Sequence, residues 1–154
     1  MTHIRVEEVP ARLVAVVRRE VPVTALAAFY ADAAAAVEEA VSGAGGVIAG
    51  PLCGWYHAMV DGTFDLSAGF PVAGLAVGPL DGEVLVRQRP GGMAAVALHL
   101  GPYDTLQDTY RAVDVWLNDR QLDASDEDVE EYLSDPGADP DPATWETRVV
   151  RPLV

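Results

Sequence analysis

The chain alternates between short valine-rich runs and longer stretches with helical spacing. Residues 12–19 (RLVAVVRR) are a short run rich in β-branched side chains, which predicts a strand. Residues 2–8 alternate more loosely and are expected to pair beside it. Pro22 then opens a predicted helix, where the missing N–H of proline costs little. Val23, Leu26, Tyr30, Ala33, Val37 and Ala40 recur at helical spacing and predict one buried face. Residues 42–46 (SGAGG) stop that helix. Strands are predicted at residues 52–59 and 64–70, joined by the turn signal Asp61-Gly62.

The second half repeats this order. Residues 93–100 (MAAVALHL) predict a strand, and Pro102 opens a helix whose inner face is Leu106, Tyr110, Val113 and Leu117. Asp104 stands in its first turn, where negative charge is favoured. Residues 129–134 and 145–151 predict the last two strands, with a proline- and aspartate-rich loop at 136–142 between them. Val21-Pro22 matches Gly101-Pro102, Tyr30 matches Tyr110, Tyr56 matches Tyr132, and Phe64-Asp65 matches Trp145-Glu146. One strand–helix–strand–strand unit is thus used twice, as modules at about 2–72 and 83–153 of a single domain. Residues 83–89 (EVLVRQR) add a strand ahead of the second module. The expected fold is α+β: two modules related by a pseudo-twofold, a largely antiparallel sheet, both helices on one face, and a ligand cleft between the modules.

Composition narrows the partners. The 154 residues carry a formal net charge of −14, and all ten bases are arginines. Residues 104–146 hold 14 acids against Arg111 and Arg120. Nucleic acids and anionic membranes want the opposite field, so neither is expected as a partner. A cationic small molecule is attracted. Cys53 is the only cysteine, which excludes an internal disulfide and a thiolate metal cluster. His3, His57 and His99 lie far apart, so no metal or other cofactor is expected. Residues 31–40 are alanine-rich but broken by Asp32, Glu38 and Glu39, and no leader or membrane span is read. A cytoplasmic protein is the expectation.

Strand parity singles out the candidate site. Glu130, Tyr132 and Ser134 share one face of their strand, and Val129, Glu131 and Leu133 share the other. Glu130 is therefore expected in a pocket with Tyr132, and Glu131 at an outer or edge position. Tyr56 holds the matching place in the first module, with Gly54 where Glu130 stands. Aromatic faces around one acid suit a flat cation. Trp55 and His57 lie on the opposite face from Tyr56; Trp55, Trp116, Trp145, Phe64 and Phe70 fit either a pocket wall or the core.

Together Gly101-Pro-Tyr, Tyr110, Trp116, Glu130-x-Tyr132-Leu-Ser-Asp-Pro136 and the ending Thr147-Arg-Val-Val-Arg-Pro-Leu153 resemble the GyrI-like small-molecule-binding domain. This is the effector-binding domain of AraC-type and multidrug-responsive bacterial regulators. The resemblance covers roughly residues 2–153. It implies a cleft in which a buried glutamate, here Glu130, meets cationic aromatic ligands among tyrosines and tryptophans. Tyr132, Tyr56, Trp55, Trp116, Phe70 and Trp145 are the aromatic candidates. The sequence leaves no room for a helix-turn-helix, so a stand-alone binder of amphiphilic aromatic molecules is the leading expectation. Similar proteins hydrolyse strained, cyclopropane-bearing molecules, for which Glu130 and Tyr132 are the candidate catalytic pair. Others antagonise gyrase toxicity, which leaves a protein partner as a third reading.

Overall fold

Residues 3–154 are described by a computed structural model. In chain order its elements are β1 (His3–Val9), β2 (Arg12–Pro22), a 3-10 turn (Val23–Ala25), α1 (Leu26–Gly43), β3 (Val47–Ile48), β4 (Cys53–Val60), β5 (Thr63–Ala73), β6 (Gly78–Pro79) and β7 (Leu85–Arg89). There follow β8 (Gly92–Leu100), a second 3-10 turn (Tyr103–Thr105), α2 (Leu106–Asp119), β9 (Asp128–Tyr132), a third 3-10 turn (Pro142–Thr144) and β10 (Glu146–Pro152). The fold is α+β, and within each of the two units described below the strands pair antiparallel. No helix among the described residues is long and apolar enough to cross a membrane.

The chain divides into two compact units. The first is Pro10–Gly91, with strand order β4-β5-β2-β7-β6 and β3 added beside β5. The second joins the N-terminal segment through Val9 to Gly92–Val154, with strand order β9-β10-β8-β1. Two expectations are corrected here. The first strand does not pair with β2: it pairs with β8, from His3 opposite Leu98 to Val9 opposite Gly92. The strand expected to lead into the second module is β7, and it pairs with β2. Each flanking strand has joined the other repeat. Local pattern says that a segment is extended, but an open sheet edge elsewhere chooses its partner.

The repeat itself is visible in the registers. In the first unit Arg19 stands opposite Leu66, which stands opposite Tyr56. In the second, His99 stands opposite Thr147, which stands opposite Tyr132. Both helices begin alike, with an extended proline, one 3-10 turn and then α-helix. The buried face of α1 is Phe29, Ala33, Val37, Ala40 and Val41, packed on Ala15, Val17, Leu66, Ala68 and Val86. Val23, expected on that face, is half exposed because the 3-10 turn rotates it off the helical stripe. Asp61 and Gly62 take φ of 51° and 75°, the left-handed pair that a two-residue hairpin needs.

Two glycines exist for opposite reasons. A Cβ on Gly69 would run into the Ala15 carbonyl oxygen on β2, so backbone would have to move. A Cβ on Gly54 would meet side chains instead of backbone, the Tyr30 hydroxyl first and then the Tyr30 and Tyr56 rings. Gly69→Ala is expected to cost about 2–3 kcal/mol, the range for overpacking a tight site, and Gly54→Ala clearly less. Urea melts of the two variants give the order, and a Gly54→Ala loss as large as that of Gly69→Ala would refute this account.

Candidate functional site

Parity along β9 puts Asp128, Glu130 and Tyr132 on the face that carries α2. Glu130 is only 7% exposed. Its two carboxyl oxygens each accept one phenol: Tyr110 Oη from α2 at 2.6 Å and Tyr132 Oη from its own strand at 2.6 Å. Burial pushes the Glu130 carboxyl above the usual carboxylate range. The two tyrosine hydrogen bonds oppose that shift without cancelling it, and nearby Asp128 adds to it. The site therefore holds a carboxyl that gives up its proton less readily than an exposed one.

An aromatic row continues from Tyr132. The Tyr103 ring meets Tyr132 edge-on at 5.6 Å and Trp145 at 4.9 Å between centroids. Trp145 donates its indole N–H to the Asp139 carbonyl at 2.7 Å, which ties the acidic loop to the row. On the other side, Arg151 binds Asp128 at 2.9 Å, binds Asp114, and lies 5.8 Å from the Tyr110 ring centroid. Burial raises the pKa of Asp128 against the pull of Arg151. Arg151 thus serves Asp128 and Asp114 and leaves the Glu130 carboxyl to its tyrosines.

Glu131 corrects an expectation. It does point to the opposite face from Glu130, but it is buried rather than set at a solvated edge. Arg148, one strand away on β10, clamps it and also binds Glu7 at 3.0 Å. The charge is accommodated as an ion pair, which a reading of β9 alone does not supply.

The first unit shows what the same backbone looks like without the acid. Gly54 stands in the place of Glu130, and the Tyr30 and Tyr56 hydroxyls bond each other directly at 2.8 Å. Phe64 packs edge-on against Tyr56 at 5.1 Å, where the second unit has Trp145. Leu66, fully buried, corresponds to Thr147, which is equally buried and whose hydroxyl has no hydrogen-bond partner among the described residues. The first unit thus folds with a glycine and a leucine where the second has Glu130 and Thr147.

Of the sequence candidates, the structure brings together Glu130, Tyr132 and Trp145. It adds Tyr103 and Tyr110, which the sequence showed only as part of a motif and as a helix face. Trp116 packs instead against the core of Ala95, Ala97, Val113 and Leu117, with Arg120 stacked 4.0 Å from its ring centroid. Tyr56, Trp55 and Phe70 belong to the first unit. There Phe70 packs on the α1 core. Trp55, nearly buried, stacks with His57 at 4.6 Å and with Arg87 at 5.0 Å, while His57 bonds Ser67 at 2.8 Å.

Comparison with known proteins agrees with this architecture. The C-terminal domain of EcmrR is similar in structure, with a TM-score of 0.81 and 21% identity over 100% of this chain and 98% of that one. Against EcmrR in its DNA-bound transcription complex the TM-score is 0.83, and this chain spans 57% of that protein's length. SAV2435, solved bound to tetraphenylphosphonium, matches with a TM-score of 0.67 and 11% identity, covering 99% and 94% of the two chains. A hydrolase from Listeria innocua matches with a TM-score of 0.68 and 16% identity, covering 98% and 91%. At these identities the likeness is one of fold. No significant match was found among curated proteins. The sequence matches the GyrI-like small molecule binding domain over residues 2–154, nearly its whole length, and the chain belongs to that family.

Proposed function

We propose that this chain binds lipophilic aromatic cations, with Glu130 as the charge partner and Tyr132, Tyr103 and Trp145 as the aromatic wall. The observation that carries this reading is a carboxyl 7% exposed that is bonded to two phenols and, among the described residues, to no base. Such a group is costly to ionise alone, and a desolvated cation repays that cost while ring faces contribute their quadrupoles. The tetraphenylphosphonium held by a protein of the same fold supports this ligand class. The net charge of −14 favours cations and opposes nucleic acids and anionic bilayers as direct partners.

Titration calorimetry with methyltriphenylphosphonium and triphenylphosphine oxide tests the reading. The two share a three-ring body and differ in charge. The cation is expected to bind at least about tenfold more tightly, and equal affinities would defeat charge recognition.

A second reading keeps the site and adds chemistry. Burial that raises the proton affinity of the Glu130 carboxylate makes it a stronger base, which suits general-base hydrolysis of a strained, cyclopropane-bearing substrate. Glu130 would take a proton from the water whose oxygen bonds to a ring carbon, the strained C–C bond would break, Tyr132 would stabilise the electron pair released, and the proton held by Glu130 would then return to it. Incubation of such a substrate at a hundredfold excess, followed by mass spectrometry, separates the two. Recovery of unchanged compound supports a binder, whereas many turnovers that disappear in Glu130→Gln make the protein a hydrolase.

A further inference from the structure

We propose that His99 is a positioning residue for the ligand site: it anchors the turn that carries Tyr103 and so sets the aromatic wall beside Glu130. Its consequence for affinity rests on the binding function proposed above. His99 stands one residue before the end of β8 and is only 5% exposed. Its Nε2 lies 3.0 Å from the Pro102 carbonyl oxygen, which only accepts, so Nε2 carries the hydrogen. In the neutral ring Nδ1 then accepts from the Thr109 hydroxyl at 2.6 Å. The Thr105 hydroxyl donates to the same Pro102 oxygen at 2.8 Å and stands 3.2 Å from Nε2. One imidazole therefore cross-links β8, the 3-10 turn and α2. Between Pro102 and Thr105 sits Tyr103, whose ring meets Tyr132 and Trp145. The Gly101 N–H fixes the other side of the turn on the Trp145 carbonyl at 2.9 Å.

The first unit supplies the control. It builds the same strand, turn and helix with Arg19 in the place of His99, Phe29 for Thr109, Ala25 for Thr105 and Val23 for Tyr103. There Arg19 binds Glu83 at 2.5 Å and lies 5.8 Å from the Phe29 ring centroid, and Val23 is half exposed. The turn thus forms without an imidazole or a threonine. The anchor is present only where the turn holds a tyrosine against the row next to the buried acid.

The test uses the full chain with His99→Leu, His99→Gln and Thr109→Val. The ligand-free readout is amide hydrogen exchange over residues 101–106, with β2 as the internal reference. His99→Leu and Thr109→Val are expected to speed exchange in the turn by about tenfold while β2 keeps its protection. His99→Gln, whose amide can donate to the Pro102 oxygen, is expected to recover most of that protection. In calorimetry with methyltriphenylphosphonium, His99→Leu should weaken binding about tenfold yet keep the preference over triphenylphosphine oxide, because Glu130 is intact. Unchanged exchange, loss of protection in β2 as well, no recovery by glutamine, or an affinity unmoved by a loosened turn would each overturn the proposal. If the unaltered protein binds no phosphonium, the binding function fails, while the exchange experiment still decides whether His99 holds the turn.

Discussion

Replacing Glu130 by glutamine is expected to weaken binding of methyltriphenylphosphonium by about a hundredfold and to leave triphenylphosphine oxide within about threefold. Loss of one partner from a buried charge pair costs about 2–5 kcal/mol, and each 1.4 kcal/mol is a factor of ten. The carboxamide has nearly the same volume and still offers groups to Tyr110 and Tyr132, so the neutral ligand reads packing while the cation reads charge. Proton linkage sharpens the result. Burial holds the Glu130 carboxyl above its ordinary range, so a cation that needs the carboxylate expels a proton. Affinity should rise with pH through that raised value and then level off, whereas the glutamine variant should stay flat. Stability follows the opposite sense. A carboxyl whose pKa is raised on folding contributes stability that is fully present below its unfolded-state value and lost as pH rises through its folded value. Glu130→Gln removes that loss and is expected to be the more stable protein above the raised value, by on the order of 1–3 kcal/mol. Asp128 is shifted in the same direction and remains in the variant, so some decline with pH persists. Calorimetry at several pH values and urea melts read both effects. A cation affinity independent of Glu130 would remove the central residue from the proposed site.

Arg148→Met is expected to cost about 3 kcal/mol, because it strands Glu131 in the interior of its unit. Arg148 is the base that binds Glu131, and it also reaches Glu7, which keeps Arg5 as a second partner at 2.9 Å. The loss therefore falls on Glu131. Adding Glu131→Leu to Arg148→Met should restore most of the stability, since a buried ion pair is commonly matched by apolar side chains of similar size. Urea midpoints of the single and double variants check this. A single variant within about 0.5 kcal/mol of the parent would mean that Glu131 finds water or another partner and that the pair holds little.

The repeat was legible because its markers are local. Proline before each helix, the tyrosine on each helix face and the Asp61-Gly62 turn act through backbone geometry within a few residues. Parity was enough to put Glu130 with Tyr132 and Glu131 on the other face, since side chains alternate along any strand. Register was not legible. Nothing in residues 3–9 says that they lie beside β8, and nothing in β7 says that it lies beside β2. Both choices depend on which sheet edges the rest of the chain leaves open.

The sequence by itself determined the two-module order, the predicted elements, the acidity and the acid that shares a strand face with Tyr132. Only the tertiary structure decided what surrounds that acid. Tyr110 reaches Glu130 from a helix 20 positions earlier in the chain, Arg148 reaches Glu131 from a neighbouring strand, and His99 grips the Tyr103 turn through Thr109. Periodicity reports which side of an element is buried, because that is set by local backbone geometry. Which groups meet across the interior is set by strand partner and register, and these emerge only when the whole chain competes for its edges and its core.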